Sequence, residues 1–166
     1  MSTKNKEALR KMKNLIEASK VVMFATRLDK TPFSVCPMTL QEIDEQGDLW
    51  FFSSKESGHF NDIEYDNRVQ LLYSDDGEQT YISIFGNATH IVDQEKIEAL
   101  WNPILNNWYK DKHDPNLALL CVNINNAYYW DADENKLVSF FNLLSGTVSK
   151  EKNGYDTKGE INLQNY

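Results

Sequence analysis

Apolar residues at Ala8, Leu9, Met12, Leu15 and Ile16 recur at helical spacing and predict an amphipathic helix over residues 5–19. Beyond it the period shortens. Apolar runs bounded by turn residues predict strands over residues 21–27 and 32–40, separated by a turn at Asp29 and Lys30. Glu45, Gln46, Gly47 and Asp48 break the pattern before a short strand over residues 49–52, and a helix follows over residues 57–65. Residues 68–74 read as strand, with Asp75, Asp76 and Gly77 as the turn into the longest strand, residues 80–92. There Ile82 and Ile84 belong to one face and Tyr81, Ser83 and Phe85 to the other, as a period of two requires. Gly86 within that run marks a bulge or a close backbone approach.

Asp93 reads as the N-cap of a helix carrying Ile97, Leu100 and Trp101, interrupted at Asn102 and Pro103 before a second helical piece with Leu105 and Trp108. Strands over residues 117–124 and 127–130 flank Asn125 and Asn126, a pair suited to a tight hairpin because Asn tolerates positive φ. Residues 137–148 form an apolar helical stretch, and residues 149–166 a polar tail. Strands that follow one another without intervening helices argue for a mainly β chain, a small antiparallel barrel with helices packed outside, and against a doubly wound parallel sheet. One domain over residues 1–148 accounts for the pattern, since 166 residues bury one good core rather than two.

Composition narrows the function. A formal net charge of −8 works against generic nucleic-acid binding, which needs Lys and Arg to displace counterions. An anionic ligand must then be small and locally coordinated. No apolar run approaches the length of a membrane span, and residues 1–13 lack the apolar core of a signal peptide, so a cytoplasmic protein without a membrane partner is expected. Cys36 and Cys121 lie in apolar, strand-like runs and read as small buried hydrophobes. His59, His90 and His113 have no metal-like spacing, so no metal site is expected. No phosphate-binding glycine loop, dinucleotide fingerprint or nucleophile elbow occurs, and no side chain stands out as catalytic.

The chemistry concentrates where Leu49, Trp50, Phe51 and Phe52 run into Ser53, Ser54, Lys55, Glu56, Ser57, Gly58 and His59. A strand ending in hydroxyls and a histidine just ahead of a helix start makes a cradle for a phosphate, because the first helical N–H groups lack partners and the dipole favours an anion. The plainer reading is that Ser57 only caps the helix. A phosphate site beside aromatic walls suits a flat heterocycle with a phosphate tail.

Taken in order, several clusters resemble the pyridoxamine 5′-phosphate oxidase-like proteins, and among them the general stress proteins. They are Met23 to Thr26, Cys36-Pro37-Met38, Leu49 to Ser53 with Ser57, Tyr81 to Gly86, Leu100 to Pro103, Trp108-Tyr109, Asp114-Pro115, Ala127 to Asp131 and Gly159 to Leu163. The resemblance implies an FMN-binding split barrel that forms a homodimer with the flavin in a groove between subunits. Met38, Thr39 and Leu40 would lie along the flavin ring, and Ser53, Ser57 and His59 would hold the phosphate. Phe52, Ser54 and Ser83 join the cofactor-binding set, and Trp108 is the candidate that closes the partner's site. Two departures stand out: relatives often carry arginine beside the Pro-Met pair, where this chain has Cys36, and usually lysine at the place of His59. Lys55 is the candidate to compensate. The Arg-x-His pair of true pyridoxamine phosphate oxidases is missing from residues 156–166. A flavin-dependent oxidoreductase of unknown substrate is therefore expected, with a non-enzymatic stress protein that holds FMN weakly, or holds another small ligand, as its rival.

Overall fold

The amphipathic pattern at the N-terminus works as a lid. The computed structural model describes residues 3–16, 20–131 and 136–139, and in it α1 (Thr3–Ile16) buries Leu9, Met12 and Ile16 against the barrel core. Full burial of such a side chain is worth about 1.5–3 kcal/mol, so this edge rather than helix propensity holds α1 in place.

Seven strands follow: β1 (Val21–Thr26), β2 (Ser34–Ile43), β3 (Leu49–Ser54), β4 (Arg68–Asp75), β5 (Thr80–Ile91), β6 (Leu117–Asp131) and β7 (Lys136–Ser139). They join antiparallel in the order β3-β2-β1-β4-β5-β6-β7, and β3 also pairs with β6, closing the first six into a barrel. Alternation supplies its interior: Val22, Phe24, Phe51, Leu71, Ile82, Ile84, Leu120 and Val122 are buried, with Phe24 and Phe51 edge to face at 5.5 Å. A second apolar cluster lies outside β3 and β6, where Phe52, Leu105, Leu117 and Leu119 pack with Trp101. The elements over it are α3 (Gln94–Leu100), capped by Asp93 accepting from the Lys96 N–H, and a 3-10 turn (Pro103–Asn107) capped by Asn102.

The barrel is split on one side. β2 and β3 pair at Ile43↔Leu49, Glu42↔Trp50 and Leu40↔Phe51, with a register shift around Gln41. Past that point they part. Ser34 to Thr39 pair only with β1, while Phe52, Ser53 and Ser54 pair only with β6. Leu40 donates its N–H toward β1, to the Lys20 carbonyl at 2.7 Å. Backbone groups alternate along a strand, so those of Thr39, Pro37 and Val35 turn to the opposite edge, the one facing the split. Pro37 is tolerated there because its missing N–H is not needed. α2 (Gly58–Tyr65) runs from the end of β3 toward β4 and inserts Ile63 into the core.

Three expectations need correction. Asn125 and Asn126 do not turn a hairpin: β6 is one strand from Leu117 to Asp131 and, not β5, is the longest. Its partner β5 runs alongside from Leu119 to Tyr129, so Asn125 is absorbed as an extra residue between the pairs Gly86↔Ile124 and Phe85↔Asn126. Gly86 thus lies opposite the bulge, which is on β6, and is itself the close approach: a Cβ there would stand 2.3 Å from the Asn123 carbonyl oxygen. Second, Leu137 opens no helix, since Lys136–Ser139 pairs with the far edge of β6. An unpaired strand edge offers backbone partners that a short apolar run takes up, and periodicity alone does not separate the two outcomes. The rest of the proposed helix and the tail over residues 149–166 lie outside the described residues. Third, Cys36 is half-buried beside His59 rather than part of the core proper, whereas Cys121 is buried.

Candidate functional site

The parting of β2 and β3 opens the mouth of the barrel, and α2 begins there. Ser57 caps α2, its Oγ accepting from the Phe60 N–H at 3.3 Å while its own hydrogen goes to the Ser54 carbonyl at 2.5 Å. The N–H groups of Gly58 and His59, first in the helix, have no acceptor inside it. From β3, Ser53 directs its hydroxyl inward, only 2% exposed, and meets His59 Nε2 at 2.7 Å. His59 Nε2 also lies 3.2 Å from Ser57 Oγ, and Nδ1 lies 3.6 Å from Cys36 Sγ across the split.

The hydrogen-bond directions assign the tautomer. With its own hydrogen committed to the Ser54 carbonyl, Ser57 Oγ accepts at the contact with His59, so Nε2 carries a proton. Nδ1 is then the lone pair that receives the Cys36 thiol. Burial first, then the field of Asp62, pushes that thiol up, which keeps its hydrogen in place. Burial holds His59 below the ordinary histidine range; His90 adds to this and Asp62 opposes it. Asp62 accepts from Thr26 Oγ1 at 2.8 Å, and His90 stacks on Phe60 at 3.9 Å. The cradle is a closed network of neutral donors and acceptors around an imidazole.

A pH dependence of stability follows. The unfolded chain takes a proton at His59 near pH 6.5 and the folded chain only at lower pH, so acid favours unfolding. The contribution of His59 is complete above about pH 6.5 and is lost as pH falls through the lowered folded value. Thermal denaturation of the ligand-free protein should show a steeper acid loss for wild type than for His59→Gln. Identical slopes would remove His59 as the titrating group.

The proposed ligand contacts do not all converge. Ser53, Ser57 and His59 meet directly, and Ser54 adjoins them, its Oγ accepting from the Glu56 N–H. Met38 and Leu40 alternate inward and are buried, so between them only Thr39 presents its side chain outside the sheet. Phe52 turns into the second apolar cluster, where its ring lies 6.1 Å from that of Trp101, and any ligand contact it makes comes through its backbone. Ser83 is remote: Ser53 pairs with Ala118 and Ser83 with Tyr128, at opposite ends of β6. Trp108 is 71% exposed at the end of the 3-10 turn and meets none of the cradle residues. Lys55 is exposed and makes no side-chain bond into the network. The thiol partner of His59 is the contact that sequence reasoning missed. Cys36 lies far from His59 in the chain, and its one signal was the cysteine at the place where relatives carry arginine.

Against known proteins, the profile of the family described as pyridoxamine 5′-phosphate oxidase like matches residues 7–156, nearly the whole chain. The chain belongs to that family. Several of its solved relatives are general stress proteins. The general stress FMN/FAD binding protein of Xanthomonas citri is 32% identical, with a TM-score of 0.65 over 75% of this chain and 89% of that one. General stress protein 26 of Bacillus anthracis is 26% identical, with a TM-score of 0.63 over 75% of this chain and 92% of that one. Protein bli-3 of Neurospora crassa is 21% identical over 92% of this chain and 78% of its own length. In this member of the pyridoxamine 5′-phosphate oxidase-like family, strands β2 and β3 part to split the barrel. This member sets neutral side chains, Cys36 and His59, at that split. Among the described residues no His, Cys, Asp and Glu grouping could hold a metal, and no helix is long and apolar enough to cross a membrane.

Proposed function

We propose that this protein binds a phosphorylated flavin, FMN by family resemblance, in a groove completed by a second copy of the chain. The observation that carries this reading is the convergence of Ser53, Ser57 and His59 at the start of α2, where the barrel is split. Two helical N–H groups without an acceptor in the helix, joined by hydroxyls and an imidazole N–H that would turn from their contacts with one another to the ligand, form the donor set a phosphate needs. Pro37 and Thr39 flank the split from β2, with backbone groups turned toward it. A bound flavin supplies hydride or electron transfer, and the chain binds and orients it.

The outer face of the barrel supports the dimer. One row across β2, β1, β4, β5 and β6 runs Pro37, Met23, Leu72, Ser83 and Tyr128 by cross-strand pairing. Val21, Met23, Val35 and Leu72 on this face are 43–49% exposed. An apolar surface of this kind, reaching the lip of the split, suits a homodimer interface. A second copy seated on it would bring Ser83, and Trp108 from beyond it, to the partner's cradle.

One observation favours the rival reading, a stress protein that holds its flavin weakly: the network around His59 contains no lysine or arginine. Flavin titration separates the alternatives. Wild type should acquire the visible flavin spectrum on adding FMN, and Ser57→Ala should lower FMN affinity by about tenfold or more, since a hydrogen bond to a charged group is worth about 1.5–3 kcal/mol. As a cap alone, Ser57→Ala costs about 1 kcal/mol of stability and leaves binding unchanged. Superimposable titration curves for the two proteins would return Ser57 to a capping role.

A further inference from the structure

We propose that the cradle selects a phosphate bearing a single negative charge, as in the phosphodiester or diphosphate linkage of a flavin dinucleotide, over the doubly charged monoester of FMN. The proposal rests on the flavin reading above and adds which phosphate chemistry the site takes.

The groups facing His59 come from every element around it. They are Ser53 from β3, Cys36 from β2, Ser57 from the loop, Asp62 from α2 (held by Thr26 of β1) and His90 from β5. None of them is a lysine or arginine, and one, Asp62, is a carboxylate; Arg27, whose field reaches Asp62, is itself paired with Asp29. Glu64 stands 4.0 Å from His90 and adds a second carboxylate nearby. Lys55, the nearest lysine in the chain, is exposed and adjoins the exposed Glu56. The whole chain carries −8.

Such a site donates hydrogen bonds without neutralising charge. The cost of stripping water from an ion rises with the square of its charge, so a dianion loses far more than a monoanion on entering it. A phosphate monoester takes its second charge near pH 6 and then holds both on one phosphorus, whereas a diphosphate spreads its two charges over two phosphoryl groups, of which one enters the cradle and the other stays in solvent. The two ligands therefore diverge as pH rises. Space allows the second ester substituent: a Cβ at Gly58 would meet nothing within 4 Å, and Lys55 and Glu56 beside it face solvent. The chain of a diester can leave the cradle over the start of α2.

Calorimetric titration of the full chain with riboflavin, FMN and FAD at about pH 6 and about pH 8.5 tests this, bracketing the second ionisation. The ratio of the FMN to the FAD dissociation constant should rise by about tenfold or more across that range. His59→Lys, which places a fixed cation in the cradle, should lower the ratio at the upper pH by a similar factor. His59→Gln, which keeps a neutral donor, should preserve the wild-type trend, and it serves if the lysine variant does not fold. A ratio that stays constant with pH, or that His59→Lys leaves unmoved, overturns the inference while the flavin reading stands. If none of the three ligands binds, the flavin reading itself falls and this one with it.

Discussion

Gly86→Ala should destabilise the protein by about 3 kcal/mol, near the top of the range for an overpacked interior position. The new methyl would stand 2.3 Å from the Asn123 carbonyl oxygen and 3.2 Å from Val122 Cγ1. The first neighbour is backbone in the central β5–β6 ladder, so no side-chain rotation relieves the contact. For a domain of this size the change corresponds to a fall in Tm of about 6–12 °C. Gly58→Ala is the control: its Cβ meets nothing within 4 Å at the first position of α2, and lost backbone freedom in the unfolded state makes the change neutral or stabilising by about 0.4–1 kcal/mol. Thermal melts of the two variants check the pair. Equal melting points would mean that β5 and β6 do not approach so closely at the bulge.

Met23→Asp should dissociate the proposed dimer and lower FMN affinity by about a hundredfold or more, with the barrel intact. Met23 is 44% exposed and lies between Pro37 and Leu72 in the outer row, so its replacement leaves the core alone. A carboxylate there would be buried, unpaired, against the apolar face of a second copy, a penalty of several kcal/mol per interface. In a C2 arrangement the same change enters the interface twice. Light scattering at micromolar concentration, circular dichroism and FMN titration on one sample resolve the outcome. A monomeric wild type, or a monomeric variant with undiminished affinity, would place the whole site within one chain.

Much of the fold was legible because it rests on local patterns. α1, α2 and α3 follow from periodicity and from the caps Ser57 and Asp93, and the strands up to β5 follow from alternation and turn residues. These signals arise among neighbours in the chain, where a period of two or 3.6 decides which side chains share a face. The misreadings all occurred where a distant partner overrode local preference. Asn125 and Asn126 favour a turn in isolation, yet a continuous ladder with β5 holds them extended. Leu137 is apolar enough for a helix, yet the edge of β6 recruits it as strand.

The candidate site divides in the same way. Ser53, Ser57 and His59 lie within one strand–loop–helix segment, so their meeting is a local event that the sequence by itself determined: hydroxyls and a histidine just before the first turn of a helix converge on its open N–H groups. The register of β2, the bulge at Gln41 and the closure of β3 onto β6 are long-range facts. Only they bring Cys36 to His59 and part the strands that open the split. They also send Met38 and Leu40 into the barrel, turn Phe52 into the outer apolar cluster and carry Ser83 to the far end of the barrel. The identity of residue 59 left the cradle without a fixed cation, and the tertiary structure decided the rest: burial, with His90, holds that imidazole below its ordinary range against the opposing field of Asp62.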